Sequence, residues 1–388
     1  MTLPLRDIKI ADFSWVGAGP RATKDLADLG AEVIKIESRK RLDLGRMSPP
    51  FAGGKRDIDA SAFFAITNTS KQSVAINLAE PAGVDLAKKL VARADVVVEN
   101  FSAGFMERIG LSFEELKAIK PDIILISVSV AGRTGPLGKI RGYGNSAAAL
   151  SGLASMSGWP DRDPHMPPFA YGDVVAPMFA TVATLAALEH KRKTGRGQHI
   201  DISQVEPLIH TLADSFAAIQ KGEPVKQANA SSSALLQDVF ACRGKDQYVA
   251  VTLSTQQQLL AAAGLLDIAQ TKDVSPETVK DALSCYCQTA DKHAVAKRLK
   301  QAGIAAEAVA DGRDVYTDEA LQHGHYRWIT HSKLGLCDMP APPLRFSVSS
   351  DCVTAPPCLG EHLQDVFVSM LGEDPAHISK LVDAGILA

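Results

Sequence analysis

Two nearly unbroken apolar runs, Val96-Val97-Val98 and residues 123–130, constrain this chain more than any other feature. A strand that is apolar on both sides must be covered on both faces. That is the condition of a parallel sheet held between layers of helix. The segments between the runs read as helices, so the pattern is strand, helix, strand, repeated. Residues 8–13 form a first strand, 21–29 a helix closed by Gly30, and 31–37 a second strand. A right-handed βαβ unit is expected from them. Residues 73–78 make a further strand and 80–94 a helix, with Pro81 in its first turn. A short helix over 113–119 leads into the second apolar run.

The middle of the chain departs from this rhythm. Residues 132–166 are rich in Gly and Ser, and so long a connection in a compact domain is more often functional or helically packed than idle. Tyr171-Gly172-Asp173 then opens a helical segment in which Met178, Val182, Leu185 and Leu188 recur at three- to four-residue spacing. Asp173 stands where an N-cap would, next to free N–H groups and a positive helix end that should keep it ionised. Gly172 removes a side chain beside it and leaves room for a bulky group. A basic turn over 191–198, a strand over 199–203 and a helix over 204–220 follow.

Composition shifts near Lys221. Residues 237–242 and 247–252 read as an antiparallel pair. Helices are expected over 255–270, 275–290 and 291–302, and a strand over 303–309, which together make a smaller α+β domain. The chain is Pro-rich from Asp338, with a helix over 361–371. The expected domains are 1–220, 221–330, and a C-terminal stretch, 331–388, that returns to the first.

A net charge of −3 provides no overall basic field, so nucleic acid is not an expected partner and any phosphate would need a local basic patch. No apolar run approaches the roughly 18 residues of a membrane span, and residues 1–7 lack a secretory pattern. A cytoplasmic location with no membrane partner is expected. The six cysteines contain no C-x-x-C pair, and His323-Gly324-His325 reads as a polar loop, so no metal site is expected.

Gly17-Ala18-Gly19-Pro20-Arg21-Ala22 lies between a strand and a helix, and Glu37 ends the next strand, which together match a dinucleotide fingerprint. Pro20 has no N–H for a pyrophosphate, and Trp15 and Val16 make the turn bulky. Other segments point elsewhere. The opening 5–13 with Ala18-Gly19-Pro20 is one. The others are Leu29-Gly30-Ala31-Glu32-Val33-Ile34-Lys35-Ile36-Glu37, Asn68-Thr69-Ser70-Lys71-Gln72-Ser73, Val98-Glu99-Asn100-Phe101, Lys193-Thr194-Gly195-Arg196-Gly197-Gln198 and Leu359-Gly360-Glu361-His362. In that order and spacing, over nearly the whole length, the chain resembles the class III CoA-transferases, the group that includes formyl-CoA transferase, carnitine CoA-transferase and alpha-methylacyl-CoA racemase.

The resemblance implies a Rossmann-like large domain, a smaller α+β domain and two chains interlocked as linked rings, though some relatives pair unlike subunits. It places Asp173, with Gly172 beside it, on the family's catalytic aspartate. That carboxylate attacks an acyl-CoA thioester to form a mixed anhydride, which CoA thiolate converts to an aspartyl-CoA thioester. CoA is then a substrate, with no permanently bound cofactor. Val16, Ala18, Arg39, Lys71 and Val74 are expected to hold its nucleotide end. Asn100, Phe101 and Arg108 follow, then Arg141 and Tyr143 toward the thioester. Residues 141–145 hold no histidine, where the family's racemases place one, so transfer is preferred over racemisation. A non-catalytic subunit is the third reading, and the intact Asp173 counts against it. Residues 230–237 lack the glycine-rich lid of formyl-CoA transferase. The expectation is therefore a larger acceptor acid, dicarboxylic or aromatic, with succinyl-CoA as donor.

Overall fold

The computed structural model describes residues 2–159, 161–223, 225, 228–229, 231, 233–268 and 274–387. Ala230 and Ser232 of the segment that replaces the lid, and Gln270 of the helix expected over 255–270, lie outside the described residues.

The apolar runs become the middle of a six-stranded sheet. Its strands are β1 (Lys9–Asp12), β2 (Glu32–Glu37), β3 (Gln72–Ala75), β4 (Val96–Glu99), β5 (Ile124–Ser129) and β6 (His199–Ser203), in the order β3-β2-β1-β4-β5-β6. Every pairing is parallel. The connections carry α1 (Ala18–Asp28), α2 (Ala62–Thr67), α3 (Pro81–Arg93), α4 (Phe105–Arg108), α5 (Phe113–Ile119), α6 (Gly144–Leu150), α7 (Leu153–Met156) and α8 (Gly172–Thr194). Alternate strand residues serve opposite faces. Ile10, Val33, Val96, Val98 and Ile126 pack with Ala22 and Leu26 of α1 and Ala176, Ala180 and Ala187 of α8. Ala11, Ile34, Ile36, Val97 and Leu125 pack with Leu86, Leu90 and Val91 of α3. That second face also receives Val366, Phe367, Ile378, Leu381 and Leu387 from the C-terminal stretch. Burying a side chain of this size is worth about 1.5–3 kcal/mol. The strand order reverses between β1 and β4, where the C-terminal ends of the strands open a crevice.

The chain divides into two compact units, 1–154 with 166–212 and 323–388, and 155–165 with 213–322. The smaller holds an antiparallel sheet of β7 (Leu236–Ala241), β8 (Tyr248–Leu253) and β9 (Ala305–Ala308). Val279, Leu283 and Cys287 from one helix and Val295 and Leu299 from the next pack against it. Burial pushes the Cys287 thiol up to about 12, so it stays a neutral core side chain.

Several expectations are corrected. The helix expected over 204–220 is two, α9 (Val205–His210) and α10 (Ala213–Gln220). At the break, the Thr211 hydroxyl donates to Leu208 O at 2.7 Å and competes with the backbone ladder. The helix expected over 361–371 is a wider π-type turn over Gln364–Met370, in which Leu371 N donates to Val366 O. His323 and His325 end a helix rather than forming a loop. A hairpin, β10 (Tyr326–His331) with β11 (Gly335–Pro340), precedes the Pro-rich stretch and was not anticipated. Finally, α8 is long and apolar enough, by length and composition, to cross a membrane. Counting unbroken apolar runs missed this because Gly, Thr and Pro punctuate it. In this structure its alanine side is buried in the sheet core.

Candidate active site

The loop after β1 is built by its anchors. Asn100, just past β4, accepts from Trp15 N and donates to Trp15 O, both at 2.8 Å. Asp43 Oδ1 accepts from Val16 N at 2.9 Å and Gly45 N at 2.8 Å. Between these clamps Val16 takes φ 66°, a left-handed conformation that strains a β-branched residue. The bend turns Gly17 toward Asp173. A Cβ on Gly17 would lie 3.1 Å from Asp173 Cγ and 3.2 Å from Oδ2, so only glycine leaves the carboxylate clear.

Asp173 is the second residue of α8, not its N-cap. Tyr171 is the N-cap, and Asp173 N donates to Ala170 O. The side chain turns away from its own helix. Oδ1 accepts a 2.6 Å hydrogen bond from Gln204 Nε2, and Oδ2 a longer one, 3.4 Å, from Gly144 N, the first residue of α6. Burial raises the Asp173 pKa. The two hydrogen bonds and the charge of Arg21 pull the other way and do not overcome it. The helix end was expected to keep this carboxylate ionised, and burial acts in the opposite direction. Gly172 also does something other than expected. A Cβ there would meet Ala147 Cβ and Gly144 Cα at 3.0 Å, so the glycine allows α6 to seat against α8 rather than admitting a ligand.

Two adjoining cavities run from this carboxylate over the ends of the strands. The inner, about 550 Å³, is lined by Val16, Gly17, Asn100, Tyr143, Asp173 and Gln204 among others. The outer, about 420 Å³, is lined by Lys40, Asn77, Phe105 and Arg108. Trp15, Arg41, Phe101, Ser102 and Arg141 line both. Phe101 stands edge-on to Trp15 and against Phe105, which forms an aromatic wall. Lys40, Arg41, Arg108 and Arg141 make the groove cationic, as phosphate recognition requires. Among the described residues, Asp173 is the only carboxylate that lines the inner cavity, and no histidine lines either cavity.

Other expected contacts lie elsewhere. Arg39 is exposed and donates to Leu359 O at 3.1 Å, beside a shallower cavity that adjoins the outer one. Ala18 and Val74 are core residues at 2% and 0% exposure, closed off by the sheet packing. Lys71 is buried too. Its ammonium donates to Asp12, Thr23, Asn68 and Pro20 O, all within 3.0 Å, which leaves no donor for a phosphate. The dinucleotide fingerprint fails on the same ground. Glu37 reaches the wall of the outer cavity but is 2% exposed, and both of its oxygens are already engaged by Arg46 or Ser73, so it is poorly placed to take a ribose. Gly19 is there because a Cβ would strike Ser14. Gln204 was missed by sequence reasoning. Its signal was slight, a polar residue directly after a predicted strand and at the start of a predicted helix. Among the described residues, no cluster of three or more His, Cys, Asp or Glu could hold a metal.

The fold and the crevice define a doubly wound α/β protein with a cationic, aromatic-walled groove that ends at one carboxylate. The chain belongs to the CoA-transferase family III, whose sequence profile matches residues 5–363, and it is an enzyme of that family. It is 31% identical to the succinyl-CoA:glutarate CoA-transferase of Homo sapiens, over 99% of this chain and 90% of that one. It is 29% identical to the succinyl-CoA--L-malate CoA-transferase alpha subunit of Chloroflexus aurantiacus, over 98% of this chain and 91% of that one. Among solved structures, a CAIB/BAIF family protein from Brucella suis superposes with a TM-score of 0.85 at 27% identity, covering 95% of this chain and 100% of that one.

Proposed function

We propose that this enzyme moves CoA from succinyl-CoA to a dicarboxylic acid of glutarate or malate size through covalent adducts on Asp173. The observation that carries the reading is the position of Asp173, whose carboxylate is the only one among the described residues at the inner end of the cationic groove. The relatives' succinyl-CoA and dicarboxylate substrates supply the substrate class. In this reading the nucleotide end of CoA lies along Lys40, Arg41 and Arg108, and its arm passes Phe101 toward Arg141 and Tyr143. Asp173 attacks the thioester carbonyl and CoA leaves as thiolate. The thiolate then attacks Asp173 Cγ in the anhydride, the donor acid departs as carboxylate, and an aspartyl-CoA thioester remains. The acceptor acid reverses both steps. Two helix N-termini, those of α1 and α6, come close to the Asp173 carboxyl carbon and would stabilise an oxyanion formed there. The raised pKa favours attack, because a more basic carboxylate is a better nucleophile once ionised.

The test is mass spectrometry of the protein mixed separately with succinyl-, glutaryl-, malyl- and formyl-CoA and trapped with hydroxylamine or borohydride. A modified peptide containing Asp173, absent from Asp173→Ala, is expected. No adduct with any of the four would sink the mechanism. A cytoplasmic homodimer completes the proposal. The exposed side of α8 carries Met178, Phe179, Val182 and Leu185, an apolar strip suited to a second chain. A monomeric mass by light scattering would refute that part.

A further inference from the structure

The Gln204 side chain is placed where its ordinary structural duties are already done. Gln204 is the N-cap of α9, a position at which a side chain commonly caps the helix. Here Ser203 does that instead. Its hydroxyl accepts from Val205 N at 3.1 Å and Glu206 N at 3.3 Å. The Gln204 backbone is pinned separately, its N–H donating to Ser129 O at 2.8 Å and Val130 O at 3.1 Å at the end of β5. The residue is 4% exposed, so its carboxamide has little freedom, yet it borders the inner cavity. An ionised carboxylate only accepts hydrogen bonds, so the group facing Asp173 Oδ1 is the amide N–H.

The two oxygens of Asp173 are therefore unlike. Oδ1 is held at 2.6 Å by an amide, whereas Oδ2, among the described residues, has only the 3.4 Å contact with Gly144 N and faces the gap left by Gly17. We infer that Oδ2 is the attacking oxygen and that Gln204 is a catalytic residue, the oxyanion donor for the enzyme's own carbonyl. This rests on the covalent mechanism proposed above. In the anhydride, Oδ2 bridges Asp173 Cγ and the donor acyl carbon, and Oδ1 is the carbonyl oxygen. When the CoA thiolate bonds to Cγ, the C=O electron pair moves to Oδ1. The negative charge then appears at the atom Gln204 already holds, at hydrogen-bond distance and without rearrangement. Collapse restores the carbonyl, breaks the Cγ–Oδ2 bond and releases the donor carboxylate. The acceptor acid adds to the same Cγ and again places charge on Oδ1, with CoA thiolate as leaving group. An amide suits this task better than a cation. Lysine or arginine at 2.6 Å would bind the resting carboxylate as an ion pair and weaken its first attack, whereas an amide adds no net charge.

The experiment is rapid-quench measurement of CoA-adduct formation on Asp173 and of steady-state transfer, in wild type, Gln204→Leu and Gln204→Glu. The donor is whichever of the four acyl-CoAs labels wild type fastest, and melting temperature is followed in parallel. Gln204→Leu is expected to slow adduct formation and kcat about 10²- to 10³-fold, the usual effect of deleting one oxyanion donor, with KM for the acyl-CoA within about threefold. Gln204→Glu is nearly isosteric and guards against a folding defect. Two adjacent carboxyl groups share a proton at low pH, so the donor returns as an O–H. Its activity should rise as pH falls from 8 to 5.5, while that of wild type holds level or declines. Wild-type adduct rates in Gln204→Leu, or a Gln204→Glu profile parallel to wild type, would overturn the assignment and leave the covalent mechanism standing. No adduct on wild-type Asp173 would overturn both.

Discussion

Asp12 and Asp173 are both removed from water at the C-terminal edge of the same sheet, and their environments oppose each other. Asp12 is wholly buried with the Lys71 ammonium at 3.0 Å, Lys35 nearby, and the hydroxyls of Ser14 and Thr23 on its oxygens. Burial alone would raise its pKa. The two lysines and the hydroxyls overturn that and hold it below the ordinary value. Lys71 is pushed down to about 8 by burial, and the Asp12 charge keeps it protonated at neutral pH. The network continues through Lys35 and Asp43 and through Arg46, Glu37 and Asp59. Among the described residues, Asp173 has no cation within ion-pair distance. Its partners are an amide and a backbone N–H, and its pKa stays raised. A carboxylate paired with a cation serves the fold. One left short of charge compensation is available for chemistry, at some cost in stability. Asp43 joins the two regions, since the carboxylate that pairs with Lys35 also clamps the Val16 bend.

The contrast breaks most sharply under Asp173→Asn. Transfer should fall by about ten-thousand-fold or more, as for loss of a nucleophile. The fold should be as stable or more stable at neutral pH. A carboxylate whose folded pKa is raised loses stability as pH climbs from its unfolded value through the folded one. The melting temperatures of variant and wild type should therefore coincide near pH 3.5 and separate in favour of the variant above it. A lower melting temperature at pH 7 would refute the reading of Asp173.

Lys71→Met should do the reverse, losing about 3–5 kcal/mol in denaturant unfolding because Asp12 loses its ion-pair partner and keeps only the more distant Lys35 and two hydroxyls. Wild-type stability should also fall as pH drops below the unfolded value of Asp12, since a depressed pKa contributes only above that range. A folded, fully stable Lys71→Met would show that the network is not what holds the loop. If that variant folds but loses only affinity for CoA, Lys71 would belong to the substrate site after all.

The smallest effect is expected from Gly17→Ala. The added Cβ would sit 3.1–3.2 Å from the Asp173 side chain, close enough to shift it by a few tenths of an ångström. A several-fold loss of kcat with near-constant stability is expected, since misplacement by about 1 Å costs on the order of 10²-fold. Unchanged kcat would mean the carboxylate has more room than the close approach implies.

Much of this architecture was legible in the chain. The runs around Val97 and Ile126 are apolar on both sides of the strand, with only Ser127 and Ser129 interrupting the second, and a strand of that kind has one solution, burial on both faces. Asp173 and the groove residues Asn100, Phe101, Arg108, Arg141 and Tyr143 were found through motifs whose order carries information. Lys71 and Arg39 show the limit of motifs. Both are basic and stand in matching segments, yet Lys71 is enclosed by four acceptors, whereas Arg39 is exposed beside a cavity and spends one donor on Leu359 O.

Periodicity, apolar runs and motif order are properties of neighbouring residues, so the class of fold, the strand-and-helix rhythm and the family could be read from the chain alone. Which charged groups neutralise one another is a property of distance across the fold. Asp12 meets Lys71 across 59 positions, and Asp173 meets Gln204 across 31. It took the folded arrangement to pair the first carboxylate and lower its pKa, and to leave the second without a cation and raise its pKa. The energy of a buried charge depends on what surrounds it in space, and no local pattern records that.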